Sequence, residues 1–143
     1  MISEQKKFLQ GRLREAMGEQ PDLRRLKAIL LRYGGDFLVA PPKLDPDVPA
    51  LLVLGFLMSG PVSVKSMKAN SCHQNIASIW KTHKYGIVGV ATGYALSADG
   101  LWRQHSWGIL RNGVLETTEE RLKYFGILHQ GAEADHFAEC NSY

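Results

Sequence analysis

Apolar residues recur at helical spacing in two segments near the N-terminus. The first segment, residues 3–17, begins with Ser3, a favourable N-cap residue. The second segment, residues 22–33, is followed by Gly34-Gly35, and glycine commonly ends a helix. The pattern therefore predicts two amphipathic helices. Their apolar stripes contain Phe8, Leu9, Leu13, Ala16 and Met17 in the first helix, and Leu23, Leu26, Ile29, Leu30 and Tyr33 in the second.

The middle of the chain combines a proline-rich loop with a strongly apolar run. Residues 37–40 predict a short strand, and residues 41–49 predict a loop with four prolines and two aspartates. Residues 50–58 are apolar on every side, which predicts a buried segment. Its length fits either a helix or a strand, and its leucine-rich composition favours a helix.

The second half of the chain predicts a helix followed by an antiparallel meander. Residues 72–84 form the helix, because Asn70-Ser71 before them are good N-cap residues. Residues 85–97 are rich in strand-forming residues and predict the first strand. Asp99-Gly100 and Asn112-Gly113 predict tight hairpin turns, which join this strand to two more. The two further strands cover residues 101–110 and 114–117.

A helix is expected after the third strand. Thr117 and Glu120 match the spacing of a capping box, in which the two residues satisfy the first N–H groups of a helix. Leu122, Phe125 and Leu128 would give this helix its apolar side. The polar residues 130–143 are predicted as a partly helical or frayed tail.

Length predicts one domain over residues 1–143, and the order of the predicted helices and strands makes it an α+β domain. The N-terminal part, residues 1–60, is mainly helical, and residues 70–128 contain the helix, the meander and the helix after it. Hydrophobic residues make up 45% of the chain and charged residues 22%, as in ordinary globular proteins. No apolar run approaches the roughly 20 residues that a membrane-spanning helix needs. We therefore expect no membrane partner.

The formal net charge of +3 is concentrated in the first 33 residues, which hold eight Lys/Arg and four Asp/Glu. We interpret these charges as the solvated faces of the two helices. Nucleic-acid binding would need a basic face beside aromatic residues or a known reading motif. Neither is visible, so no nucleic-acid partner is predicted.

The two cysteines, Cys72 and Cys140, are too few for a disulfide framework. Together with an N-terminus that lacks a signal-peptide pattern, they predict free thiols in a reducing, cytoplasmic compartment. A metal site is the less favoured use of the cysteines and the five histidines, since His136 and Cys140 are the only spaced pair. We expect no metal and no cofactor.

Three residues in the second half suggest nucleophilic chemistry. Cys72 begins the predicted helix, where the helix dipole and free N–H groups favour a thiolate. His105 lies in the second strand of the meander and Glu116 in the third. A nucleophilic cysteine needs an imidazole to take its proton, and the imidazole needs a third group to orient it. In isolation, each residue also fits a structural role in the core.

The hairpin turns decide whether these residues meet. A two-residue Asn112-Gly113 turn places Glu120 opposite His105, and leaves Glu116 on the same face but about 13 Å away at roughly 3.3 Å per residue. If Thr117 caps a helix, however, Glu120 belongs to the cap and Glu116 is the acid left on the sheet. We therefore choose Glu116 over Glu120, with strong twist or a slip at Gly108 closing the gap. A two-residue Asp99-Gly100 turn would also pair Tyr94 with His105.

Short motifs between residues 70 and 127 resemble a known family. They are Cys-His-x-Asn from Cys72, His-Ser-Trp from His105, Glu-Thr-Thr from Glu116 and Tyr-Phe-Gly from Tyr124. The order is similar to that of small bacterial and phage proteins of the papain-like and transglutaminase-like superfamily. The resemblance implies an α+β fold in which a cysteine at a helix start packs on a small antiparallel sheet. Family members carry Asp-Pro-Thr where this chain has Glu116, Thr117 and Thr118.

The resemblance implies a cysteine-dependent hydrolase or acyltransferase that acts on an amide or thioester in a small molecule or peptide. Cys72 would be the nucleophile, His105 the general base and acid, and Glu116 the orienting group. Oxyanion donors would be backbone N–H groups with Asn75 or Gln104. Tyr94, Trp102 and Trp107 would wall the cleft. A non-catalytic binding module of the same fold and a zinc-binding protein are the alternatives, and the oligomeric state stays open.

Overall fold

The structure is a computed structural model that describes residues 3–142, so Met1, Ile2 and Tyr143, which fall within the predicted domain, lie outside the described residues. Both predicted N-terminal helices are confirmed, as α1 (Glu4–Glu19) and α2 (Asp22–Tyr33). The Ser3 hydroxyl caps α1 by accepting a hydrogen bond from the backbone N–H of Lys6 at 3.1 Å. The buried residues of both helices come from the predicted stripes.

Residues 37–58 form three short elements, β1 (Phe37–Leu38), α3 (Val48–Leu54) and β2 (Phe56–Met58). The apolar run is therefore part helix and part strand. The change occurs at Gly55, where an added Cβ would lie 2.5 Å from the Leu51 carbonyl oxygen and 2.7 Å from the Phe125 ring. The expectation that the whole run is buried is wrong, because Val53 is 81% exposed and Leu54 61% exposed.

The strands belong to one curled, mixed, seven-stranded sheet. The remaining strands are β3 (Val62–Val64), β4 (Gly89–Leu96), β5 (Leu101–Leu110), β6 (Gly113–Glu116) and β7 (Lys123–His129). Their order is β2-β7-β4-β5-β6-β3, and β1 pairs with β5. The β1–β5 and β3–β6 pairs are parallel, and the other pairs are antiparallel. The predicted meander is thus the β4–β5–β6 part of a larger sheet.

The first hairpin has a longer loop than the sequence predicts. Ser97 N–H bonds to the Leu101 carbonyl, and Gly100 has a φ of +84°, so three residues form the loop. Consequently Gly93 is the partner of His105, and Tyr94 is opposite Gln104. The expected Tyr94–His105 pair is wrong. Since side chains alternate along a strand, Tyr94 and His105 lie on opposite faces of the sheet.

The second hairpin turns one residue earlier than predicted. Leu110 pairs with Gly113, so Arg111 and Asn112 form the turn and Gly113 is already in β6. Gly113 is needed there because a Cβ at this position would lie 2.1 Å from the Pro61 carbonyl oxygen. With Ile109 opposite Val114, the register moves Glu116 two positions closer to His105 than the predicted turn would.

The helix predicted after Thr117 is not present. Residues 117–122 form a turn, and β7 follows, paired with β4 on one side and β2 on the other. Leu122 is 65% exposed, whereas Phe125 is buried in the sheet. The predicted tail contains a full helix, α5 (Gly131–Cys140), that packs against α4 (Cys72–Lys81).

Helices cover one face of β4, β5 and β7 in two groups. Helices α1 to α3 bury Tyr94, Trp102 and Phe125, while α4 and α5 bury Val90 and Leu115. Trp107 and Tyr124 pack together on the opposite face. No helix within residues 3–142 is long and apolar enough to cross a membrane. The helical layer therefore places the start of α4 beside β5.

Candidate active site

Glu116 ends β6 as a fully buried carboxylate. Its Oε1 accepts hydrogen bonds from the ring of His105 at 2.8 Å and from the hydroxyl of Tyr124 at 2.9 Å. Its Oε2 accepts from the backbone N–H groups of Thr117 at 3.0 Å and Thr118 at 2.9 Å, and from the Thr118 hydroxyl at 2.9 Å. Burial would raise the Glu116 pKa, but the His105 and Thr118 contacts outweigh it and lower the pKa.

His105 links this carboxylate to Cys72. The ring is 3% exposed, and its centroid lies 6.0 Å from that of Trp107 and 6.3 Å from that of Tyr124. Nε2 bonds to Glu116, which leaves Nδ1 as the ring nitrogen free to face the nearby Cys72 thiol. Burial would lower the His105 pKa, but the bonds to Cys72 and Glu116 and their charges raise it.

Cys72 is the first residue of α4 and lies half-buried against β5. On its edge away from β4, β5 pairs with β1 at Leu101 and Trp102 and with β6 from Gly108 onwards. Between these two pairings the edge of β5 has a gap. The thiol reaches this gap, where the nearby backbone N–H of Ser106 helps to lower its pKa. The interruption of the ladder therefore gives the sulfur access to both a backbone donor and His105.

The electrostatics of the pair favour a thiolate and an imidazolium. Burial would raise the Cys72 pKa, and the Glu116 charge also raises it. The bond and charge of His105 and the bond from Ser106 outweigh both, so the pKa lies below its ordinary value. The shift of Cys72 is thus opposite to that of His105, as expected when each stabilises the charged form of the other.

The two side chains predicted as oxyanion donors, Asn75 and Gln104, do not lie together. The Asn75 side chain donates to the Lys68 carbonyl at 2.8 Å and to the Thr117 hydroxyl at 3.2 Å, so its amide group joins α4 to the chain before it and to the residue after β6. Asn75 is therefore unavailable as an oxyanion donor. Gln104, in contrast, lines a cavity beside His105.

The three aromatic residues expected in the cleft wall have other roles. The hydroxyl of Tyr94 donates to the buried Asp45 carboxylate at 2.9 Å, and the Trp102 indole donates to the Gly34 carbonyl at 2.9 Å. The Trp107 indole contacts the Met58 sulfur at 3.3 Å. None of the three is among the residues that line the cavity. Tyr94 and Trp102 belong to the core under α1–α3, and Trp107 packs with Tyr124 in a separate cluster.

The cavity beside His105 has a volume of about 670 Å³. Its wall includes His73, which follows Cys72, residues of the 45–47 loop, and His136 and Cys140 of α5. Asp45, Asp47 and Glu133 contribute carboxylates. The Cys72-His73 and His136–Cys140 pairs are the sequence signals for this wall, since nothing local connects the proline-rich loop to the site.

The metal alternative has no support in the geometry. Over residues 3–142, no three His, Cys, Asp or Glu side chains cluster as they would to hold a metal ion. His136 and Cys140 are neighbours, with 3.6 Å between Nε2 and Sγ, but no third ligand joins them.

Comparisons of this chain with protein-family models, with curated proteins and with solved structures gave no match. The site must therefore be interpreted from its own geometry.

Proposed function

We propose that the protein is a cysteine-dependent hydrolase or acyltransferase, with Cys72 as nucleophile, His105 as general base and acid, and Glu116 as the orienting group. The observation that carries the proposal is the buried hydrogen bond between His105 and Glu116 at 2.8 Å, together with a Cys72 thiol near enough to His105 for the two groups to shift each other's pKa toward the charged forms. This is the arrangement that activates a nucleophile in acyl transfer.

In the proposed reaction, the Cys72 thiolate attacks the carbonyl carbon of an amide or thioester. The tetrahedral intermediate collapses when His105 gives a proton to the departing amine or thiol, which leaves an acyl group on Cys72. His105 then takes a proton from water or from another acceptor, which attacks the thioester and releases the acyl group. Glu116 keeps the Nε2 side of the ring protonated and stabilises the imidazolium between these steps.

The cavity offers room for a substrate beside the general base His105, while Cys72 lies next to this cavity rather than in its lining. The cavity adjoins His105 and Gln104, and a volume of about 670 Å³ lies within the usual range for a small-molecule site. The substrate is proposed to be a small molecule or a peptide side chain that carries an amide or thioester. A backbone N–H group at the start of α4 and the Gln104 amide are the proposed donors to the carbonyl oxygen.

Acylation with p-nitrophenyl acetate tests the proposal, because this activated ester needs no specific recognition. We expect a burst of p-nitrophenol and one acetyl group on the Cys72 peptide, detected by mass spectrometry. Cys72→Ser should abolish the burst, and Cys140→Ser should keep it. Absence of the acetyl group from Cys72 in the unaltered protein would reject the enzyme and favour the non-catalytic binding module.

A further inference from the structure

His73 is a second histidine at this site, and it lies on α4, whereas His105 lies on β5. It is the second residue of α4 and lines the cavity together with His105 and Gln104. Its Nδ1 forms a hydrogen bond with the hydroxyl of Ser106, the residue whose backbone N–H contacts Cys72. Within residues 3–142 no hydrogen bond involves His73 Nε2, so this nitrogen is available to a molecule in the cavity.

The Ser106 hydroxyl determines which nitrogen of His73 carries the proton. Ser106 is fully buried, and among the described residues His73 Nδ1 is the one acceptor near its hydroxyl. A buried hydroxyl hydrogen without an acceptor is costly, so Ser106 donates and Nδ1 accepts. In a neutral imidazole the proton then resides on Nε2, which becomes a hydrogen-bond donor.

The surroundings keep His73 neutral. Burial lowers its pKa, and the nearby positive charge of His105 lowers it further, with Asp45 as a weaker opposing influence. A neutral donor can stabilise a negative oxygen without competing with His105 for protons. His73 therefore suits a neutral hydrogen-bond donor, whereas His105 suits proton transfer.

We infer that His73 is a further catalytic residue, whose Nε2–H donates a hydrogen bond to the carbonyl oxygen of the substrate as it becomes an oxyanion. When Cys72 Sγ bonds to the carbonyl carbon, the π electron pair of the carbonyl moves to the oxygen, which accepts from His73. As the intermediate collapses, the pair re-forms the carbonyl, and the leaving group departs with the proton of His105. This inference rests on the proposed function, and it supplies a donor that Asn75 cannot provide.

Two reactions of Cys72 separate this contribution from activation of the thiol. Acylation by p-nitrophenyl acetate forms an oxyanion, whereas alkylation by iodoacetamide needs the thiolate but forms none. His73→Phe should slow acylation by about 10²–10³-fold, the usual effect of losing one oxyanion donor, and leave the alkylation rate unchanged. His73→Gln keeps an amide donor and should recover part of the acylation rate. His105→Ala should slow both reactions.

Ser106→Ala is a second test, in case His73→Phe does not fold as judged by circular dichroism. It keeps the backbone N–H that contacts Cys72 but removes the hydroxyl that sets the tautomer of His73, so acylation should slow relative to alkylation. Equal loss of both reactions, or an unchanged ratio in the variants that fold, would overturn the role of His73. Lack of Cys72 acylation in the unaltered protein would instead reject the proposed function, and this inference with it.

Discussion

Replacing Glu116 by Gln should change the proton positions of His105 while preserving the shape of the site. The Gln carbonyl oxygen is expected to take the Oε2 position, where three donors from Thr117 and Thr118 converge. Its NH₂ group then faces Tyr124 and His105 Nε2. His105 can accept this hydrogen bond only as the tautomer protonated at Nδ1, which cannot take the proton of Cys72.

The expected magnitude follows from the lost carboxylate contact. The Glu116–His105 bond, at 2.8 Å and buried, is charge-assisted when His105 is protonated. Such bonds contribute about 1.5–3 kcal/mol, which corresponds to about tenfold to hundredfold in the thiolate–imidazolium population. The Glu116→Gln variant should therefore have a lower His105 pKa, a higher Cys72 pKa and an alkylation rate at pH 6 that is at least about tenfold lower.

The assay is the second-order rate of Cys72 alkylation by iodoacetamide, measured from quenched samples by peptide mass spectrometry. The matched control is Glu120→Gln, which removes the same charge from an exposed residue in the adjacent turn and should leave the rate unchanged. An unchanged rate in Glu116→Gln would refute the reasoning and reduce the triad to a Cys72–His105 pair.

Three further predictions concern the structural support of the site. Asn75→Ala should lower the free energy of unfolding by about 1–3 kcal/mol, because one buried and one partly buried hydrogen bond are lost. It should not change the intrinsic alkylation rate of Cys72 in the folded protein, and urea unfolding and alkylation measure the two effects. Tyr94→Phe should lower the unfolding free energy by a similar amount, about 1–3 kcal/mol, by leaving the Asp45 carboxylate without its hydroxyl donor; an unchanged urea midpoint would contradict this. The Glu116 pKa is lower in the folded protein than its unfolded value near 4.5. Its contribution to the free energy of unfolding is therefore present above that value and is lost as the pH falls through the folded value. Urea unfolding at decreasing pH should show a smaller loss of unfolding free energy in Glu116→Gln than in the unaltered protein.

The elements that local pattern predicts well are those with a single strong periodicity. The leucine stripe of α2 defines its buried side without reference to the rest of the chain. Residues 123–129 show the opposite case, since Phe125 and Leu128 also fit helical spacing. The strands β4 and β2 decide the outcome, because β4 pairs with this segment over its whole length and β2 pairs with residues 124–126 on its other side. Long-range pairing of this kind is invisible in local spacing.

In the candidate site, too, some features follow from the local sequence and others depend on long-range contacts. Residue types and their order were enough to select Cys72, His105 and Glu116. The reason for preferring Glu116 was nevertheless incorrect, since Thr117 caps no helix. Instead, the N–H groups of Thr117 and Thr118 turn back onto the Glu116 carboxylate. The register that brings it to His105 depends on the close approach of Pro61 to Gly113, which sequence spacing does not reveal.

The central claim, that His105 holds Cys72 as a reactive thiolate, is tested most directly by competitive alkylation at pH 6. The two cysteines of the same molecule are labelled with limiting iodoacetamide and quantified by peptide mass spectrometry. The claim predicts that half-buried Cys72 reacts much faster than exposed Cys140, and that His105→Ala removes this advantage. Equal rates, or faster labelling of Cys140, would contradict it and return Cys72 to a structural role.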